Sequence, residues 1–133
     1  MSTIQPGYEI APDGTAFDVL HKADAPVVVL IHGLGLCRHM WRDHIADFAN
    51  DYQVVSYDLL GHGKTPCNKN KLNLKDFSNQ LLEILDYLKI EKINLIGFSL
   101  GSLIALDFSS YFQKKVEKLI LIGTTYKRSD QER

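Results

Sequence analysis

The sequence predicts an α/β domain: a mostly parallel sheet with helices on both faces. Three observations carry that expectation. Short apolar, β-branched runs alternate with stretches at helical spacing along the chain, the pattern of parallel strands joined by right-handed crossovers. The run Val27-Val28-Val29-Leu30-Ile31 is apolar on both faces, as a strand covered from both sides has to be. Three of the strands lead directly into glycine-rich turns, and in such sheets functional groups gather at the carboxyl ends of the strands.

Taken in order, the first strand is expected over residues 15–22, after the turn Pro12-Asp13-Gly14. Pro26 introduces the second, 27–31. Residues 38–50 set Trp41, Ile45, Phe48 and Ala49 near helical spacing. A third strand covers 53–57 and ends at Asp58. The clearest helix is 73–90, where Leu74, Phe77, Leu81, Leu85 and Leu88 form one stripe at steps of three and four. Asn73 is its candidate N-cap, with Asp76 three residues on. Residues 92–98 read as a strand and 118–123 as another. Between them, the helix 100–111 carries apolar side chains widely around its circumference, which predicts deep packing.

A single domain is expected to account for residues 1–133, with a composition of 45% hydrophobic and 23% charged residues that suits an ordinary soluble core. The net charge of −1 offers no broad attraction for nucleic acid or anionic membrane, and Lys69-Asn70-Lys71 reads as a solvated loop. Cys37 and Cys67 match no metal-ligand spacing and read as free thiols of a reducing compartment, so the expected location is cytoplasmic. Residues 1–10 lack the basic-then-apolar order of a secretory signal, and the longest apolar run is far too short to span a bilayer. No metal or cofactor is implied.

Gly97-Phe98-Ser99-Leu100-Gly101 matches G-x-S-x-G, a sharp strand-to-helix turn that thrusts a hydroxyl outward. Residues two before and two after the serine approach each other closely, and glycine at both removes the obstructing Cβ. The alternative reading is a glycine-flanked helix cap in which Ser99 only caps. Context favours the nucleophile, because the motif follows an apolar strand and opens an apolar helix. His32-Gly33-Leu34-Gly35 follows the buried strand 27–31 and supplies a second turn of the right kind. There, Gly33 and Gly35 would let the backbone approach, and the Leu34 N–H would pair with the Leu100 N–H to hold an oxyanion. A histidine before such a turn is expected to make structural hydrogen bonds, and His32 is assigned that role. In the third feature, residues 58–65, Gly-Lys-Thr lacks the preceding glycine of a phosphate loop. Its glycines read as a tight loop near the site and His62 as structural.

Together these residues resemble the α/β-hydrolase superfamily over residues 15–125. The resemblance lies in the order and spacing of His32-Gly33-Leu34-Gly35, the segment 57–65 and Gly97-Phe98-Ser99-Leu100-Gly101. Trp41 and Leu119-Ile120-Leu121-Ile122-Gly123-Thr124 add to it. The subgroup is similar to small cofactor-free hydrolases of esters, lactones or carbon–carbon bonds, the 3-oxoadipate enol-lactonase type among them. The resemblance implies that Ser99 attacks a carbonyl of a small-molecule substrate, that a histidine relays the proton and an acid orients it, and that Leu34 and Leu100 hold the oxyanion.

The family order is nucleophile, acid, histidine, yet none of the five histidines follows Ser99. Asp130 stands where an acid occasionally lies in the family, and Asp107 reads as a surface carboxylate. The stretch is therefore expected to be the N-terminal portion of one domain, without its C-terminal strands and lid and nearly inactive alone. Its strand 118–123 would be an open edge that invites self-association and poor solubility. The competing function is a non-catalytic α/β-hydrolase-like module that binds through the same cleft and edge. A doubly wound nucleotide-binding domain would need G-x-G-x-x-G after its first strand and is disfavoured.

Overall fold

The computed structural model describes residues 5–124. Asp130 lies outside the described residues.

The first pairing is local. The turn at Pro12-Asp13-Gly14 folds β1 (Gly7–Ile10) antiparallel onto β2 (Ala16–Leu20). The Asp13 carboxylate fixes that turn by accepting the Thr15 N–H and hydroxyl, each at 3.0 Å. Sequence periodicity does not reveal β1. Four residues with no alternation become a strand only because β2 offers a partner.

β3 (Val27–Ile31), β4 (Gln53–Tyr57), β5 (Ile93–Phe98) and β6 (Val116–Ile122) complete a six-stranded sheet in the order β1-β2-β4-β3-β5-β6. β2 meets β4 antiparallel, and every pair from β4 to β6 is parallel. The expected mostly parallel sheet is therefore present, with an antiparallel hairpin at one side. β6 starts two residues earlier than the sequence suggests, and its pairing with β5 shifts register between Ile93 and Asn94.

Strand period two divides the core. Val29, Ile31, Val55 and Tyr57 face one way and pack with Phe77, Leu81, Ile84 and Leu85 of α2 (Leu74–Leu88) and with Ile104, Ala105 and Phe108 of α3 (Leu100–Tyr111). Val28, Leu30, Val54 and Ile96 face the other way, onto Trp41, Ile45 and Ala49 around α1 (Arg42–Phe48). A 3-10 turn, Arg38–Trp41, takes the place of the first turn expected of that helix.

Asn73 caps α2 as its spacing predicts. Its side chain accepts the Asp76 N–H at 2.9 Å, and Asp76 returns to the Asn73 N–H at 3.0 Å. α3 is less enclosed than its composition suggests. It buries Gly101, Ser102, Ile104, Ala105 and Phe108 but leaves Leu106 on the solvent side. Asp107 is half-buried and accepts the Ser78 hydroxyl at 2.7 Å, so it joins α2 to α3 and is not simply a surface charge. β6 ends the strand order, with Ile120 and Ile122 exposed.

Candidate active site

The site is built on the carboxyl ends of β3, β4 and β5. Ser99 stands between β5 and α3 with φ 55° and ψ −115°, a conformation that L-residues rarely adopt and that costs about 1–3 kcal/mol. It is held there from three directions. Its N–H donates to the Ile122 carbonyl at 2.9 Å, and its own carbonyl accepts the Ser102 and Leu103 N–H groups and the Ser102 hydroxyl. Its side chain is exposed and makes no capping bond to the helix. Ser99 occupies the N-cap position, but its hydroxyl is not spent on capping.

The flanking glycines are a steric necessity. A Cβ at Gly97 would overlap the Gly101 carbonyl, and one at Gly101 would overlap the Ile31 carbonyl and approach that of His32 to 2.6 Å. α3 can therefore start directly against the end of β3. The Leu100 N–H lies in its first turn, where an amide has no intrahelical acceptor and the helix dipole is positive.

The second turn begins at His32, which is fully buried. Its Nδ1–H donates to the Gly33 carbonyl at 2.7 Å, and its Nε2 accepts the Leu59 N–H at 2.9 Å. Both ring nitrogens are thereby used by backbone groups, in the structural manner expected of this residue. Burial pushes its pKa below the ordinary 6.5, and the neighbouring His62, whose ring centroid lies 5.1 Å away, acts in the same direction. The Gly33 carbonyl and, more weakly, Asp58 oppose them.

Gly33 sits against the elbow: a Cβ there would come within 3.1 Å of the Phe98 ring. Gly35 differs from expectation. A Cβ on it would meet nothing within 4 Å, and its requirement is the positive φ of 76° that closes the turn. Leu36 N–H returns to the Gly33 carbonyl at 3.1 Å. Among the described residues the Leu34 N–H has no backbone acceptor, and its side chain is 73% exposed.

A charged group that motif reading does not single out lies beneath these turns. Asp58 is fully buried. It accepts the Arg38 N–H and the Arg38 Nη1 at 2.7 Å each, and the Lys64 N–H at 2.9 Å. Arg38 Nε lies 3.1 Å from Asp18, and its guanidinium stacks over Tyr8, 4.7 Å from the ring centroid. Burial works against the charge on Arg38, but Asp18 and Asp58 outweigh it and hold the guanidinium more firmly protonated.

Gln80 of α2 is buried too, donating to Thr15 and to the Asp58 carbonyl and accepting the Leu60 N–H. The signal available in the sequence was an aspartate at the inner end of an apolar strand, which needs a cation when buried. A cavity of 670 Å³ opens beside this network, lined by Tyr8, Asp18, Arg38 and Arg42, and Ser99 does not line it. His62 is half-buried, its Nδ1 3.0 Å from the Leu60 carbonyl. Among the described residues no three His, Cys, Asp or Glu side chains converge as metal ligands, Cys37 and Cys67 are unpaired, and no helix is long and apolar enough to cross a membrane.

The chain is 33% identical over 112 residues to an (E)-2-((N-methylformamido)methylene)succinate hydrolase of Acinetobacter baylyi, covering 84% of this chain and 43% of the relative. It is 38% identical over 88 residues to 3-oxoadipate enol-lactonase 1 of the same organism, covering 66% of this chain and 33% of the relative. Among solved structures, the enol-lactonase from Burkholderia xenovorans LB400 superposes with a TM-score of 0.77 at 26% identity, over 85% of this chain and 45% of that one. A meta-cleavage product hydrolase from Pseudomonas fluorescens IP01 gives 0.80 at 25% identity, over 96% and 48%. The chain thus spans less than half the length of these relatives. The model of the alpha/beta hydrolase fold matches residues 26–132, and with the elbow, the glycine turn and the sheet order in place, the chain belongs to that family.

Proposed function

We propose that this chain is the nucleophile-bearing part of a serine hydrolase that acts on the carbonyl of a small ester or lactone. The observation that carries the reading is the Ser99 hydroxyl: exposed, uncommitted to the helix cap, and presented by a strained backbone beside the Gly33–Gly35 turn. Ser99 Oγ bonds to the substrate carbonyl carbon while its proton passes to a base. The carbonyl oxygen takes the negative charge and is held by the Leu34 and Leu100 N–H groups, each worth about 3–4 kcal/mol of barrier. Collapse of this adduct expels the protonated leaving group, and water then releases the acid and restores the serine.

His32, Gly33, Gly35, Gly97 and Gly101 support that geometry. No histidine follows Ser99 among these residues, so none of the five is assigned as the base. The lactonase and hydrolase names of the relatives favour a small carbonyl substrate. The unpaired Cys37 and Cys67 are what supports a reducing, cytoplasmic setting.

Fluorophosphonate labelling read by mass spectrometry tests this on the chain itself. The expected result is a slow adduct confined to Ser99 and absent from Ser99→Ala. Equal labelling of both would sink the proposal and leave the non-catalytic binding module. Rapid labelling would put a base inside the chain.

A further inference from the structure

The segment after β4 grips both ends of the turn that follows β3. At one end His32 accepts the Leu59 N–H. At the other, the Asp58 carboxylate takes the Arg38 N–H and Nη1, and the Ser56 hydroxyl donates to the Arg38 carbonyl at 3.0 Å. Arg38 is therefore fixed through its amide, its carbonyl and its Nη1 by groups of β4 or the residue after it, while Asp18 of β2 meets its Nε. Residues 33–37 are strung between these two posts, and Leu34 lies within the span.

We propose that Asp58 is a positioning residue for the Leu34 amide: it fixes the far end of the turn so that this N–H keeps its direction at the nucleophile elbow. The proposal rests on the hydrolase reading only for the use of that amide, not for the mechanical link. The link follows from chemistry. A carboxylate can accept from a backbone N–H, a guanidinium and a second backbone N–H at once, and charge-assisted bonds are about twice as strong as neutral ones. Asp58 also packs where the loop returns: a Cβ at Gly63 would overlap its carboxylate. Any change in Asp58 is thus felt at Arg38, at Lys64 and across the turn. Asp18 touches the same guanidinium from the opposite side but reaches no backbone group of the turn.

The experiment compares wild type, Asp58→Asn and Asp18→Asn as full chains, using amide exchange, 15N relaxation and the rate of fluorophosphonate labelling at Ser99. In Asp58→Asn the Leu36 and Met40 amides are expected to exchange about tenfold faster. The Leu34 order parameter should fall from about 0.85 to about 0.6, and labelling should slow, while α2 and β5 amides keep their protection. Asp18→Asn should leave the turn as it is.

Unchanged turn amides in Asp58→Asn, or an equal response in Asp18→Asn, would overturn the proposal. If Asp58→Asn does not fold, Ser56→Ala decides. A rise of about threefold confined to the same amides supports the clamp, and no rise overturns it. A wild type that never labels at Ser99 would remove the hydrolase reading, while the exchange and relaxation data would still decide whether Asp58 sets the turn.

Discussion

His32 and Leu59 are joined by a single hydrogen bond of 2.9 Å in which the imidazole Nε2 is the acceptor. The bond requires the neutral ring, since the Nδ1–H already points at the Gly33 carbonyl. Protonation at Nε2 would set two donors against each other inside the protein. Because the folded-state pKa lies below the unfolded 6.5, the unfolded chain binds the proton more readily. The contribution of His32 to stability is therefore full above about pH 6.5 and is lost as pH falls through the folded value. The expected outcome is an unfolding temperature that drops on acidification below pH 6.5, with a His32 titration midpoint below 6.5 by 15N NMR. A midpoint above 6.5 would contradict a ring held neutral by burial.

The backbone of Ser99 carries strain that only glycine relieves. Ser99→Gly should raise stability by about 1 kcal/mol and abolish labelling, whereas Ser99→Ala should abolish labelling without that gain. Chemical denaturation of the three proteins checks this, and a less stable Ser99→Gly would mean that the conformation is not strained.

Gly101 meets the end of β3 with no space for another carbon. Gly101→Ala should cost about 3 kcal/mol and displace the elbow, because the obstruction is backbone and not a side chain that can turn aside. Gly35→Ala should cost less, about 1 kcal/mol, through its positive φ alone. Equal losses in the two variants would refute the distinction between crowding and dihedral strain.

Among the described residues β6 has an unpaired outer edge, and Ile120 and Ile122 on this strand are exposed. The isolated chain is expected to self-associate, with a light-scattering mass that rises with concentration. Lysine at both positions should shift it toward the monomer. A wild type that stays monomeric at all concentrations would count against this.

The elements and the elbow were legible because their signals are local. The stripe from Leu74 to Leu88 gives α2, the β-branched run gives β3, and glycines two residues either side of Ser99 mark a turn with no space for side chains. The requirement at Gly35 was misread as close approach, because a sequence does not separate a glycine that is crowded from one that is merely left-handed. β1 escaped because its strand character belongs to its pairing with β2. The Arg38–Asp58 pair escaped because its partners are 20 positions apart and meet only after β3 and β4 align. Such a pair is a weak source of net stability but costly to break, which suits a group that fixes geometry.

The Ser99 amide hangs from the last residue of β6, through its bond to Ile122. The outermost strand and the elbow residue are thus joined directly through the backbone. A change in the lie of that rim therefore reaches the peptide of residue 99 without passing through the core.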